Sequence, residues 1–310
     1  MFYLPAALLI GALVPVQTAA NSRLRLAVGN RPVVSALVSF AVALTVAVAA
    51  TVVLQGNPLP QFAEAGAPAS WWVWLGGFFG VAFVIGNILL FPKLGAVQTV
   101  VLPILGQVTM GLVIDQWGLF NAKQVDVSLL RILGAAVVVL GIALVLQKKG
   151  TGAAASSAAD DTGASVWLYR ALGVGIGMGS AMQTAINGYL GTIAGSSLHA
   201  AEINLTVGVT LLLIAALVTS PRQLATKPEP GPWWMWLGGF VGALFVIGGA
   251  TLAPILGTAT TVIAFNAGTI VGGQVLESFG AFGARKARMD AARVAGLALI
   301  FAGVVAVRLL

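Results

Sequence analysis

A sixteen-residue block occurs twice in this 310-residue chain. Residues 71–86 read WWVWLGGFFGVAFVIG and residues 233–248 read WWMWLGGFVGALFVIG. Twelve of the sixteen positions agree at a constant offset of 162. Agreement at that distance marks a duplicated domain rather than a short-period solenoid. Both copies are apolar, and so are their surroundings: the chain is 59% hydrophobic and 8% charged, against roughly 25% charged in soluble domains. The duplicated unit is therefore a membrane domain, with the lipid bilayer as its first partner.

Ten apolar segments can be drawn, each near the ~20 residues that cross a bilayer. They are Phe2–Arg23, Val33–Leu54, Trp71–Phe91, Leu94–Ile114 and Leu129–Gln147, then Val166–Tyr189, Leu198–Thr219, Trp233–Ala253, Ile255–Leu276 and Ala291–Leu309. The first lacks the basic start of a secretory signal and has a mid-chain counterpart, so it reads as mature structure. Residues 148–165, KKGTGAAASSAADDTGAS, are small and polar and read as a flexible linker. The expected domains are a five-helix repeat at 1–147, the linker at 148–165, and a second five-helix repeat at 166–310.

The halves align beyond the tryptophans. Gln17-Thr18-Ala19 with Asn21 matches Gln183-Thr184-Ala185 with Asn187. Pro92 and Gly95 match Pro254 and Gly257; Asp115, Gly118 and Phe120 match Glu277, Gly280 and Phe282; Arg131 and Gly134 match Arg293 and Gly296. Five spans per half is an odd number, so the second half enters the membrane inverted. The basic residues agree. With the N-terminus outside, thirteen of the 16 lysines and arginines lie on or near the cytoplasmic side, and only Lys123, Arg131 and Arg308 lie outside. The net charge of +7 thus reflects membrane orientation and not nucleic-acid binding, which needs basic residues clustered on one folded face. The expectation is an all-α polytopic membrane protein of ten transmembrane helices in two inverted-topology repeats. Both termini are expected outside and the linker in the cytoplasm. With both repeats fused, a monomer suffices. Inverted repeats are an architecture of secondary transporters, with the site near the midplane between repeats.

Several features together resemble one known family. They are the two five-span halves, a Gln-x-x-x-Asn in each first span, the WWxWLGGFxG block, the Pro-x-Leu-Gly turn into each fourth span, and the acid followed by an aromatic, Gly and Phe. They resemble the YdcZ-type family of the drug/metabolite transporter superfamily, which includes single five-span and fused ten-span proteins. The resemblance covers essentially the whole chain outside the linker and implies a transporter fold located in the inner membrane. The chain also looks like a distant relative of the small multidrug-resistance proteins, whose first span carries an essential glutamate. Here that region offers Gln17 and Gln183 instead, so that coupling mechanism does not carry over.

Gln17/Asn21 and Gln183/Asn187 are i,i+4 pairs, each on one helix face. Amides in hydrocarbon turn toward the bundle interior. They read either as four ligands of one central cavity or as hydrogen-bonded glue between helices. Glu202 breaks the symmetry, since its counterpart is about Leu37, and an intramembrane acid is a functional candidate. It reads as a site for proton coupling or a cationic group, with His199 three residues earlier on the same face, or as an interfacial acid that is hydrated or paired to His199. Asn204 and Thr206 add polar surface. Gln107 and Asn266, with Gln98 and Gln274, are further cavity candidates.

Trp74 and Trp236 are the deepest of each tryptophan trio. They read as part of an interfacial belt or as stacking surfaces for an aromatic or cationic ligand. Asp115 with Lys123, and Glu277 with Arg285, read as interfacial ion pairs or gates. With no cysteine and one histidine, disulfides and thiolate chemistry are excluded and a His-x-x-Glu metal site is weak. No catalytic constellation, nucleotide loop or metal cluster is visible, so neither an enzyme nor a cofactor is expected. The function expected is secondary active transport, export of small metabolites or drug-like molecules by alternating access. The alternative is a structural or lipid-interacting membrane protein without a solute cycle.

Overall fold

Apolar runs of twenty residues in a bilayer must satisfy their backbone polar groups internally, and helices do so. The computed structural model describes residues 2–57, 59–60, 70–147, 164–283 and 290–309, and these are helical almost throughout. The first half contains α1 (Tyr3–Ala27), α2 (Pro32–Gln55), α3 (Leu75–Trp117) and α4 (Leu129–Gln147). The second contains α5 (Ala164–Ile193), α6 (Ser197–Thr219), the short α7 (Pro221–Leu224), α8 (Leu237–Leu256), α9 (Thr258–Phe279) and α10 (Ala291–Leu309). Eight described stretches are long and apolar enough to cross a membrane, so the protein is polytopic. Of the linker expected at 148–165, only the last two residues are described, and they belong to α5.

Sequence sets the helix ends. Pro32 opens α2 with its preset φ, and Ser196 caps α6 by accepting from the His199 amide. Left-handed glycines end α2, α3 and α9: Gly56, Gly118 and Gly280. After the last two comes a phenylalanine that is also left-handed, Phe120 at φ 59° and Phe282 at φ 54°. Bulky residues avoid that region, so packing must hold them there. It does: Phe120 meets Trp72 edge-on at 5.5 Å and Phe282 meets Trp234 at 5.6 Å. The middle tryptophan of each repeated block thus buttresses a strained corner. Trp74 and Trp236 stand on the outer surface, 44% and 41% exposed.

The backbone of α3 is helical over 43 residues, about 64 Å if straight and twice the ~30 Å hydrocarbon thickness. Its neighbours show that it turns back. On the way down, Gly76, Gly80 and Gly86 lie against Asn187, Gln183 and Ile176 of α5. On the way up, Pro103 lies against Gly177, and Gly106 against Val174 and Met178. Leu90 and Leu102 both touch Gly173, although twelve residues of straight helix would separate them by about 18 Å. So α3 is two spans, and the reversal falls between those leucines, where the Pro92–Gly95 sequence lies. In the second half the same reversal is an open break at Gly257, φ 87°, between α8 and α9.

The halves interlock. α5 lies along both legs of α3, while α1 lies along α8, at Gly238, Gly242 and Gly248, and along α9, at Gly268 and Gly272. Each half's first helix is thus held by the helical hairpin of the other. Corresponding helices also meet. In α2 and α6, Phe40 packs on Gly208, while Ala43 and Ala47 cluster with Leu205 and Ala201, so the two run antiparallel. In α4 and α10, Gly134 meets Ala306 and Val307, while Gly141 meets Gly296 and Ile300, again antiparallel. Small residues at these crossings let the backbones approach closely.

Candidate functional site

Amides placed among apolar helices bond to one another when a partner is in reach. On α5, Gln183 and Asn187 face glycines of α3, Gly80 and Gly76, whose missing side chains make room for them. Asn204 of α6 completes the group. Its Nδ2 donates to Asn187 Oδ1 at 3.0 Å, and its Oδ1 accepts from Gln183 Nε2 at 3.3 Å. Asn204 and Asn187 are each 2% exposed and Gln183 is half-buried.

The first half repeats the frame but not the relay. Gln17 and Asn21 of α1 face Gly242 and Gly238 of α8. The residue placed like Asn204 is Ser39, because each lends its carbonyl to the equivalent glycine, Gly77 or Gly239. A serine side chain is too short to mirror the relay, and the buried Oδ1 of Asn21 has no hydrogen-bond partner among the described residues. Of the four amides expected in one cavity, Gln183 and Asn187 lie in a relay with Asn204, while Gln17 and Asn21 face the matching glycines from the other first helix.

Glu202 lies on α6 and is 6% exposed; its Oε1 is buried and without a partner among the described residues. Pairing with His199, one of the alternatives, is not what forms. His199 Nδ1 lies 2.9 Å from the Ala194 carbonyl and Nε2 lies 3.0 Å from the Asn57 carbonyl. Both ring nitrogens therefore face backbone carbonyls. The histidine is committed to the α5–α6 turn and to the end of α2, not to the carboxylate. Thr206 points its carbonyl to Thr210 and lies outside these networks.

Another polar chain crosses the two halves. Gln107 of α3 donates to Ser180 of α5 at 3.0 Å and accepts from Asn266 of α9 at 2.7 Å. Gln98 accepts from Arg170 Nε at 3.0 Å instead, and the buried Oε1 of Gln274 has no partner among the described residues.

Asp115 does not pair with Lys123 as its position suggested. Fully buried, it accepts from Arg131 at 3.0 Å and from the amides of Thr258 and Ala259 at 2.7 and 3.2 Å. Lys123 donates to the Ile255 carbonyl at 3.3 Å. Glu277 pairs with Arg293 at 3.5 Å, and Arg285 lies outside the described residues. The sequence carried the signal for both pairs: acid and arginine recur at the same spacing in each half. Among the described residues no group of three potential metal ligands occurs.

Twenty-two solved chains match. One, recorded only as "Crystal structure of protein", aligns with a TM-score of 0.69 over 99% of this chain and 96% of its own at 13% identity; that likeness shows the fold alone. No match is found among curated proteins. The family model described as "Putative inner membrane exporter, YdcZ" matches residues 2–144 and again 168–306, once per half. The chain is a polytopic membrane protein that belongs to the YdcZ family.

Proposed function

We propose that the protein is a secondary active exporter of small metabolites or drug-like molecules. Its ten spans form two inverted repeats, with both termini outside, that expose one site alternately to the two sides. One observation carries the reading: each first helix, which bears a Gln-x-x-x-Asn pair of amides, is gripped by the hairpin of the opposite half. A rocking of the halves would then move the amides relative to the hairpins without breaking either. The antiparallel contacts of α2 with α6 and α4 with α10 support inversion, because an odd span count and an in-plane two-fold require them.

In this reading Gln183, Asn187 and Asn204 bind the polar part of the substrate, and Gln17 and Asn21 do so in the exchanged state. Gln107 and Asn266 form the floor between them. Trp74 and Trp236 flank the site from the surface, and an aromatic substrate would meet them on passage. Glu202 is the coupling acid, its carboxylate, with Oε1 buried and without a partner among the described residues, taking a proton or a cationic group, and His199 fixes the turn that positions it.

The test is a ligand screen by thermal shift on the purified protein, then flux of each hit in liposomes. A compound that stabilises the wild type but not Asn187→Ala, and that crosses only liposomes holding the wild type, meets the expectation. Hits that bind without crossing reject transport in favour of a membrane protein with no solute cycle.

A further inference from the structure

Outside the amide network an open groove of about 340 Å³ runs between Phe78, Phe79 and Ala82 of α3 and the Leu168–Gly179 stretch of α5. Its walls are apolar and its floor is Gly175, where an added Cβ would meet nothing within 4 Å. Duplication supplies the comparison. At the register that aligns Gln17 with Gln183, Gly175 and Gly179 correspond to Leu9 and Leu13. The first half fills with two leucines what the second half leaves open.

From Leu168 to Gly179 the groove rises about 16 Å, half of the ~30 Å hydrocarbon layer and hence one leaflet. At the Leu168 end the Lys93 ammonium stands 5.6 Å from the centre of the Tyr169 ring, and the Arg170 guanidinium, which also bonds Gln98, stands 4.9 Å from that of exposed Trp167. A cation among aromatic side chains at the end of a span marks the headgroup level. The residue matching Lys93 in the other half is Ile255, so the cation and the opening occur together, on one half only.

We propose that this groove is a specific site for an anionic phospholipid, with one acyl chain lying over Gly175 and the phosphate at Lys93. The site does not depend on the transport reading. It is tested by native mass spectrometry of the full chain released from nanodiscs of phosphatidylglycerol or phosphatidylcholine. The wild type is expected to retain phosphatidylglycerol over phosphatidylcholine by roughly five-fold, the preference one lysine gives near an anionic surface. Gly175→Leu, which copies the first half, is expected to shed both lipids, and Lys93→Gln to keep a lipid but lose the preference. Thermal unfolding of each variant reports folding. Should Gly175→Leu not fold, a photoreactive acyl chain is expected to crosslink to the Phe78–Ala82 and Leu168–Gly179 peptides of the wild type. Equal retention of the two lipids by the wild type overturns the proposal. So does undiminished retention by folded Gly175→Leu, or crosslinking elsewhere. Displacement of the crosslink by a non-lipid amphiphile at lower concentration also overturns it and makes the groove a substrate portal.

Discussion

Asp115 of α3 accepts a 2.7 Å hydrogen bond from the amide of Thr258, so a carboxylate of the first half caps the opening turn of a helix in the second. Arg131 neutralises it at 3.0 Å. Removing one member of a buried pair leaves the other uncompensated, at a cost of about 3–5 kcal/mol. Asp115→Ala is expected to lower the unfolding temperature in detergent sharply. The double variant Asp115→Leu with Arg131→Met is expected to recover much of the loss. A double variant no more stable than the single one contradicts this account.

Glycines at the interlock separate from glycines in the groove. A Cβ at Gly106 would run into the Val174 carbonyl, and one at Gly268 into the Leu8 carbonyl, both main-chain atoms with little freedom to yield. Gly106→Ala and Gly268→Ala are each expected to cost about 1–3 kcal/mol by overpacking. Gly175→Ala is expected to leave the melting curve unchanged or slightly raised, since alanine is the better helix former.

The amide relay is measurable as a coupling. A double-mutant cycle of Asn187→Ala and Asn204→Ala should return about 0.6–1.7 kcal/mol, the range for hydrogen bonds between membrane helices. Ligand binding is expected to fall in both single variants by more than stability does. Equal proportional losses would mean that the relay only packs helices.

Glu202→Gln replaces a buried oxygen that lacks a partner with a neutral amide of the same shape. Stability is expected to hold or rise, because no protein hydrogen bond to Oε1 is lost and no charge is left to bury. If Glu202 couples transport, the variant is expected to lose pH-driven uptake in liposomes while still binding ligand. Retained pH-driven uptake removes the residue from the mechanism.

Much of the architecture was legible because duplication wrote it twice. The matched glycines, prolines and Gln-x-x-x-Asn motifs located the spans and their order. The partners were not legible. Nothing in the chain says that α1 lies against α8 rather than α2, because long apolar helices carry similar surfaces on every side. His199 was read with Glu202 from spacing alone, whereas two carbonyls at the α5–α6 turn and the end of α2 claim its ring. Trp72 and Trp234 looked like belt residues, and their buttressing of Phe120 and Phe282 depends on corners that only the folded backbone reveals. Asn204 passed as added polarity, yet it closes the relay, and Ser39 at the matching place explains why Asn21 lacks a partner.

The exchange of first helices also fixes when the protein can finish folding. During synthesis both legs of α3 are made before α5, and α2 and α4 before α6 and α10, the helices that cover them. A nascent chain ending near Gln147 therefore holds four helices whose most extensive packing partners are still to come, and Gln107 still awaits Ser180 and Asn266. Most of the tertiary packing can form only once the second half has been inserted. Quality control would see an incomplete chain as unassembled membrane helices rather than as half of a finished protein.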